Sequence, residues 1–425
     1  THNTKTNKRN FVVHKMIIDI VKSNFKIIIF GITFTFFSCV GQSFFIGLFN
    51  SSIREELNIS HGEFGTIYGI ATLCSSFTLI WLGKKIDDLR LINYSFLVVI
   101  FLTSAAIFFS FVSGIIFLFI GIYFLRLSGQ GLMAHTASVA ISRYFDKSRG
   151  KALSYAWIGM SFGEFLLPMI MVYFLTFIYW RNIWLTIAVV IILFLPLLIQ
   201  LTVKDINLLS REKKNTENIN KKFYEVKSWT RIEVLKDFKF YSILPAMLAS
   251  SFIITGVVIN QTFIIESKNW GEFAIAKSFM IYSILTVFTL FLSGFLVDIF
   301  TSRKIFPLLN VPLLLSLIIL FFFEHPISVY FFMGFMGISN GLTNVLMTSF
   351  WAEIYGVNYL GSIKALTGSL MVFSTALATV VFGSLIDLGY SIENIAFLCA
   401  IYTGISIIIV IIFQKSYKPI LQNKT

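Results

Sequence analysis

Two charged side chains stand in the middle of long apolar stretches of this chain. Arg126 lies about 12 residues into the apolar run 114–142, and Glu164 lies about 12 residues into the run 152–176. Runs of about 20 apolar residues are typical of helices that cross a bilayer, because a helix satisfies its own backbone hydrogen bonds there. A charge at mid-membrane costs roughly 2.5–3.5 kcal/mol, and such residues usually face a cavity or a partner. Arg126 and Glu164 are therefore the strongest candidates for chemistry.

The sequence leaves two interpretations of this pair open. In the first, Arg126 binds an anionic substrate and Glu164 carries a coupled proton. In the second, the two residues form a buried salt bridge that only positions their helices. Because consecutive membrane helices run in opposite directions, both residues should lie at similar depth. We expect them within about 8 Å of each other or across one central cavity, with neither facing lipid.

Other polar residues interrupt apolar runs and predict a cavity around this pair. Gln130 follows Arg126 by four residues, so both project from one face of the helix. His135 follows by nine, which places it on the opposite face as a packed or hydrogen-bonded histidine. Each further candidate alone favours a structural role, but as a set they outline a polar path at mid-membrane, where transporters of duplicated design bind substrate. The set is Gln42, Tyr68, Asn260, Gln261, Tyr282, Asn340 and Asn344.

The elements that position these residues are predicted to be twelve transmembrane helices. The 425 residues are 56% hydrophobic and 13% charged, whereas soluble proteins carry roughly 25% charged residues. We name the predicted spans TM1 to TM12 in chain order. Their ranges are 26–49, 62–82, 91–112, 114–142, 152–176, 182–202, 240–265, 275–297, 305–323, 326–350, 363–386 and 393–413. The predicted fold class is an all-α integral membrane protein.

The distribution of basic residues predicts the orientation. Of the 34 Lys and Arg residues, 29 fall in the two tails, in the connections after even-numbered spans or in the first two residues of TM1 and TM11. Four fall on the opposite side: Arg54, Arg181, Lys268 and Lys277. Basic residues accumulate in cytoplasmic connections, so both termini are expected in the cytoplasm and the protein in a bacterial inner membrane. The first 25 residues are polar and basic and contain no cleavage site for a signal peptide.

Several other classes of function are disfavoured. The net charge of +13 is explained by topology, which argues against a nucleic-acid partner. Cys39, Cys74 and Cys399 lie in apolar runs without metal or disulfide spacing, so we expect packing roles, no metal and no cofactor. A membrane-embedded transferase would need a paired His and acid or a metal cluster, and no His is paired in this way. A sensor with a transporter fold would need a sizeable signalling domain, and both tails are short.

Four short motifs, one of them a Gly-x-x-x-Asp turn, recur at a nearly constant offset, which indicates an internal repeat. Gly83 and Gly294 differ by 211 positions, as do Asp87 and Asp298. "GEF" recurs after 209 positions, Gly131 and Gly341 differ by 210, and Gly150 and Gly361 differ by 211. The repeat predicts two six-helix bundles in parallel orientation, 26–202 and 240–413, with tails 1–25 and 414–425. The linker 203–239 is expected to end in an amphipathic helix on the membrane surface, presenting Trp229, Ile232, Leu235 and Phe238.

Twelve helices in a 6+6 arrangement, with a charged Gly-x-x-x-Asp turn after TM2 and after TM8, resemble the major facilitator superfamily. The family's turn reads Gly-x-x-x-Asp-Arg-x-Gly-Arg-Arg. Gly83 and Asp87 match it in the first copy, and Gly294, Asp298 and Arg303 match it in the second. Asp88 and Arg90 depart from it, standing where the family has a basic residue and a glycine. The resemblance implies that these turns latch the two bundles on the cytoplasmic side, whereas a plain solvated turn is the alternative.

TM4 and TM5 carry a second part of the resemblance. The family commonly has Arg-x-x-Gln-Gly in TM4, and here the spacing is one residue longer, from Arg126 to Gln130 and Gly131. That form resembles the monocarboxylate-porter-like branch, although TM8 lacks the Asp–Arg pair of the better-known monocarboxylate carriers. Gly159 and Gly163 resemble the glycine motif of the family's antiporters, but Glu164 stands where those proteins have proline, so antiport does not follow.

These observations predict a secondary transporter that works by alternating access. Its substrate is expected to be a small organic anion, such as a carboxylate, that moves with protons through a monomeric protein in the lipid bilayer. The alternative transporter is an exporter of amphipathic metabolites or drugs, and the alternative outside transport is a membrane-embedded sensor.

Overall fold

A computed structural model of the protein describes residues 25–145, 149–204, 206, 227–271, 273–356 and 359–418. These residues contain eleven helices that are long and apolar enough to cross a membrane, together with a shorter apolar helix at Phe25–Gly41. The predicted spans therefore all correspond to helices. We call TM1–TM6 the first half and TM7–TM12 the second half. The inner end of the bundle is the end at which TM1 begins, and the outer end is the opposite one.

The observed bounds of eleven spans follow the predicted ranges to within a few residues at most ends. They are TM2 His61–Lys84, TM3 Leu91–Ser110, TM4 Ile115–Tyr144, TM5 Arg149–Leu175, TM6 Trp180–Val203, TM7 Phe238–Ile259, TM8 Ala274–Phe300, TM9 Val311–Phe322, TM10 Ser328–Tyr355, TM11 Leu360–Asp387 and TM12 Ile392–Phe413. Short helices at Ser302–Ile305 and Phe306–Leu308 lead into TM9. TM2 and TM12 begin with Ser60 and Ser391, whose side chains accept hydrogen bonds from backbone N–H groups of the first turn.

TM1 is broken, contrary to the continuous span predicted for 26–49. Its α-helix Phe25–Ser38 passes into a 3₁₀ turn at Cys39–Gly41, and Gln42 is extended before the chain resumes as Ser43–Gly47. The short helix Asn50–Leu57 follows at the outer end. The turn packs backbone to backbone on TM4, since a Cβ on Gly41 would lie 2.3 Å from the Leu125 carbonyl oxygen. Only glycine permits this approach.

TM4 is not a regular α-helix either. Residues Arg126–Met133 form a π-helical segment between α-helices Ile115–Leu125 and Ala134–Tyr144. A π-helical turn holds one more residue than an α-helical turn. The segment thus accommodates the extra residue that lies between Arg126 and Gln130, and it does so at the point where TM1 packs on TM4.

TM7 ends earlier than predicted. It stops at Ile259, Asn260 leaves the helical conformation, and the chain continues as a separate helix, Gln261–Lys268, at the outer end. The Asn260 side chain donates to the carbonyl oxygen of Gly256, 3.0 Å away, which satisfies one carbonyl at the end of TM7.

The outer ends of the two halves are in close contact. TM2 and TM11 cross at Gly65, where a Cβ would lie 2.0 Å from the Thr379 carbonyl oxygen, and Thr379 Oγ1 donates to the Gly65 carbonyl oxygen at 2.8 Å. The Asp387 carboxylate accepts hydrogen bonds from the backbone N–H groups of His61 and Gly62 at the start of TM2, at 3.0 and 2.7 Å. Hydrogen bonds that join described residues of different halves all lie at this end or near the middle. The bundle is therefore closed at its outer end.

Ion pairs fasten the outer loops within each half. The Arg181 guanidinium lies 2.6 Å from Glu56 and also donates to the carbonyl oxygens of Ser110 and Val112. It thus joins three connections of the first half. In the second half, Lys268 pairs with Glu393 at 2.7 Å, and the Lys268 side chain is 1% exposed.

The linker helix differs from its prediction in length and orientation. It covers only Arg231–Lys236 and begins with a capping box formed by Thr230 and Glu233. Ile232, Leu235 and Phe238 are exposed as predicted for a membrane-facing surface, but Trp229 packs against Tyr355 with ring centroids 5.5 Å apart. Trp229 therefore anchors the linker to TM10 instead of extending the exposed face.

Candidate functional site

Arg126 lies where the broken TM1 meets the π-helical segment of TM4. Its side chain is 2% exposed. Nη1 donates to the Gly41 carbonyl oxygen and to Ser43 Oγ, both at 3.2 Å, and the guanidinium lies 5.2 Å from the centroid of the Tyr68 ring. Nε has no hydrogen-bond partner. Arg126 thus satisfies a carbonyl near the helix break, and its positive charge faces an aromatic ring instead of a carboxylate.

Gln42 and Tyr68 belong to the same cluster. Gln42 is the extended residue at the break of TM1 and is 9% exposed. Tyr68 is 1% exposed, and its hydroxyl donates to Ser43 Oγ at 2.9 Å. Gln130 lies one turn beyond Arg126, and its backbone N would lie 2.5 Å from a Cβ on Gly41. Four predicted residues therefore surround one helix break.

Glu164 lies on the other side of TM1. It is 8% exposed and makes no hydrogen bond or ion pair with any described residue. Cys39 of TM1 and Tyr282 of TM8 lie close enough to interact with it electrostatically. Its carboxylate is thus held between the two halves without a protein partner.

The predicted buried salt bridge is not formed. Arg126 and Glu164 are both described and buried, and their charged atoms do not approach within 4.0 Å. Arg126 donates to Gly41 and Ser43, whereas Glu164 interacts electrostatically with Cys39 and Tyr282. The described residues thus contain no Arg126–Glu164 salt bridge, and the roles of the two residues stay predictions.

Glu164 lines a cavity of about 390 Å³ between TM5, TM8 and TM10, which we call the inner cavity. The cavity extends from Glu164 towards the inner end, and Glu164 is the only ionisable residue among the described residues that line it. Its other polar lining residues are Ser154, Ser161, Thr286, Asn340 and Asn344, and its aromatic ones are Trp157 and Phe291. Asn340 and Asn344 were predicted, whereas Trp157 and Ser161 were not, although they share the Glu164 face of TM5 at helical spacing.

A larger cavity of about 520 Å³, which we call the outer cavity, lies between the halves at the outer end. Gln261 lines it and is 2% exposed. Besides the four residues at the break of TM1, two more predicted residues line neither cavity. Asn260 terminates TM7, and Tyr282 is buried against Phe279 with ring centroids 5.7 Å apart.

The charged turns at the inner end each stay within one half. His135 Nε2 lies 3.1 Å from the Gly83 carbonyl oxygen, as expected for a hydrogen-bonded histidine, and Asp87 pairs with Arg143. In the second half, Arg303 pairs with Glu353 at 3.5 Å. Gly294 has open space around the position of a Cβ, unlike Gly83, and the Asp298 side chain lies outside the description. In this conformation the turns brace TM2 to TM4 and the start of TM9 to TM10, so no latch between the halves is formed among the described residues.

Two glycine contacts correspond between the halves. A Cβ on Gly131 would lie 3.2 Å from Leu79 of TM2, and a Cβ on Gly341 would lie 2.6 Å from the Thr286 carbonyl oxygen and 3.1 Å from Leu290 N of TM8. Leu79 and Leu290 are 211 residues apart, which is the offset of the predicted repeat. Gly159 and Gly163 serve packing within the first half, since their Cβ atoms would lie 1.9 Å from the Ile32 carbonyl oxygen and 2.4 Å from Cys39 Sγ.

Comparison with known proteins identifies a transporter fold. A sequence model of the Major Facilitator Superfamily matches residues 32–379. No curated protein sequence matches the chain. The nucleoside transporter NupG is similar in structure, with a TM-score of 0.68 at 13% identity over 92% of this chain and 99% of that chain. A bacterial homologue of the human lysosomal transporter Spinster, inward-facing and unoccupied, is similar with a TM-score of 0.64 at 14% identity over 92% and 95%. At these identities the likeness concerns the fold alone.

Proposed function

The chain belongs to the major facilitator superfamily, and we propose that it moves a small polar organic solute across a bacterial inner membrane, coupled to protons through Glu164. The family shows that the protein is a membrane transporter and not an enzyme. Alternating access between the halves 26–202 and 240–413, and the cytoplasmic position of both termini, belong to the same proposal. The breaks in TM1 and TM7 support it, because transporters often build substrate sites where membrane helices are interrupted.

The observation that carries the proposal is the unpartnered carboxylate of Glu164. A buried charge without a partner is costly, so an ionisable residue at this place favours a role in binding a proton or a substrate. Glu164 reaches a cavity formed by helices of both halves. Its surroundings therefore change when the halves move, which is what proton coupling requires.

The proposal is tested in liposomes that contain purified protein and a pH-sensitive dye. Substrates are first found by a thermal-shift screen of amines, carboxylates, amino acids and sugars, since a ligand of the native state raises its stability. Proton movement should accompany transport by the wild-type protein and should vanish in Glu164→Gln. Glu55→Gln, which removes an exposed carboxylate at the outer end, is the control. Transport by Glu164→Gln with unchanged proton movement would refute the role of Glu164.

Arg126 supports a second candidate, in which the substrate carries an anionic group. The guanidinium is buried, Nε lacks a partner and no described carboxylate lies within 4.0 Å. A substrate carboxylate would supply the missing counter-charge. Arg126→Lys keeps the charge but loses the planar fork that fits a carboxylate. Binding of a carboxylate that falls in Arg126→Lys and is lost in Arg126→Gln would support this candidate, and unchanged binding in both would reject it.

A further inference from the structure

The outer cavity contains polar groups that lack partners. Two are side-chain oxygens of the short helix Gln261–Lys268 that are buried and without a hydrogen bond: Gln261 Oε1 and Thr262 Oγ1. The Glu266 carboxylate lines the same cavity and has no hydrogen bond or ion pair with a described side chain. Ser51 and Ser52 add hydroxyl groups on the facing helix. Buried polar groups are nearly always hydrogen-bonded in native proteins, so the two unpaired oxygens of Gln261 and Thr262 favour a binding site, next to which Glu266 is an exposed carboxylate.

The charge of the site favours a cation. Among the described residues that line the outer cavity, Glu266 is the only ionisable one. Among the described residues of the outer end, seven acidic side chains face four basic ones. The acidic ones are Glu55, Glu56, Glu63, Glu266, Glu324, Asp387 and Glu393, and the basic ones are Arg54, Arg181, Lys268 and Lys277. Two of the four basic groups are neutralised in ion pairs, and Arg54, the basic group that interacts electrostatically with Glu266, donates from Nε to Asn50. An excess of negative charge around a cleft raises the local concentration of cations.

The inner cavity also combines one carboxylate with polar uncharged side chains, and it lies closer to the inner end than the outer cavity does. There, one carboxylate, Glu164, lies with the amides of Asn340 and Asn344, and Trp157 offers a ring face that attracts cations. Between the cavities, the Gln261 side chain donates to the Phe44 carbonyl oxygen at 3.1 Å and Asn50 donates to the Ile259 carbonyl oxygen at 2.6 Å. Gln261 Nε2 thus joins the two halves between the cavities, while Gln261 Oε1 has no hydrogen-bond partner and can accept one from a ligand.

We propose that the outer cavity is a second binding site for the transported solute and that this solute is a small organic cation, a protonated amine with an apolar body. The ammonium group is held by Glu266 and Gln261, and the apolar body packs on Leu48, Val172 and Leu175. The inference rests on the proposed function, because it places the outer cavity and Glu164 on one path.

The test uses three probes of one shape: phenethylammonium, 3-phenylpropionate and the neutral phenethyl alcohol. Binding to purified protein is measured by calorimetry in the Glu164→Gln background, so that remaining cation binding reports the outer cavity. We expect phenethylammonium to bind and 3-phenylpropionate not to bind. Adding Glu266→Gln should weaken cation binding at least about tenfold. Adding Glu324→Gln, which removes an exposed carboxylate elsewhere at the outer end, should leave binding unchanged.

The outcomes separate this inference from the proposed function. Cation binding that Glu266→Gln does not weaken, or tighter binding of the anion or of the alcohol, overturns the inference. Thermal unfolding of each variant shows whether that variant is folded. If Glu266→Gln is not folded, Thr262→Val is a second variant of the same site. Binding that depends on Glu266, combined with transport that moves no protons, supports the inference and overturns the proposed function. Proton-coupled uptake of 3-phenylpropionate supports the proposed function and overturns the inference of a cationic solute.

Discussion

Replacement of Gly65 by alanine should open the outer end of the protein. The new Cβ would lie 2.0 Å from the Thr379 carbonyl oxygen and 2.8 Å from its carbonyl carbon. Both are backbone atoms, so TM2 and TM11 must separate. Overpacking of this kind costs about 1–3 kcal/mol. The cost applies only to the conformation in which these helices touch, because the clash is between the two halves.

The size of the effect follows from the two-state equilibrium. Since about 1.4 kcal/mol corresponds to a factor of ten, Gly65→Ala should favour the outward-open state by roughly fivefold to more than 100-fold. Spin labels at Phe177 and Leu388, which are 60% and 74% exposed at the outer ends of different halves, report the change by electron–electron resonance. Cys74, which is only partly buried, is replaced by serine in this background.

Two matched glycine substitutions show whether the effect is specific. Gly404→Ala places a Cβ in open space in TM12 and should change nothing. Gly159→Ala clashes within the first half, between TM5 and TM1, so it should lower thermal stability without favouring the outward-open state. Folded Gly65→Ala protein with the label distances of the wild type would refute the reasoning that this crossing holds the outer end closed.

Two further predictions concern charged groups. Burial raises the pKa of the Glu56 carboxyl, but hydrogen bonds from Arg181, Tyr179 and Trp180 outweigh burial and hold the pKa below its usual value. The stabilisation by Glu56 is therefore present above the pKa of its unfolded state and is lost as the pH falls through the pKa of its folded state. The thermal unfolding temperatures of wild type and Glu56→Gln should differ at pH 7 and converge in acid. A difference that stays constant with pH would contradict this. Arg126→Gln leaves no described carboxylate unpaired, so it should lower the free energy of unfolding by less than the about 3–5 kcal/mol typical of a broken buried ion pair. A denaturant titration that shows a larger loss of unfolding free energy would contradict the absence of a carboxylate partner.

The number and position of the spans could be predicted because apolar runs of this length are typical of helices that cross a membrane and rare in soluble domains. The breaks in TM1 and TM7 could not, since Gly41, Gln42 and Asn260 in an apolar run are compatible with a continuous helix. They break because the backbones of TM1 and TM4 meet at Gly41, and because the Asn50 side chain of the first half donates to the Ile259 carbonyl oxygen, where TM7 ends. Both depend on contacts in the folded protein, which local sequence does not encode.

The candidate site was predicted in its residue types more than in its geometry. Equal depth of Arg126 and Glu164 was inferred from residue counts, but depth does not specify rotation about the helix axis. In the fold, Arg126 donates to Gly41 and Ser43, and its charged atoms do not come within 4.0 Å of those of Glu164. Glu266 was missed because the sequence places it at the end of a span, where an acidic residue is ordinary. Glu266 lines the outer cavity because it lies on the short helix Gln261–Lys268.

The ion pairs at the outer end bear on how the protein is made. Every group bound by Arg181 lies within the first 181 residues, so this cluster can form while the ribosome is still adding the second half. Lys268 has to wait for Glu393, 125 residues later. Until TM12 is synthesised, Lys268, which is buried in the folded protein, lacks its partner Glu393. A nascent chain that stalls in this interval therefore contains every partner of Arg181 but lacks the partner of Lys268.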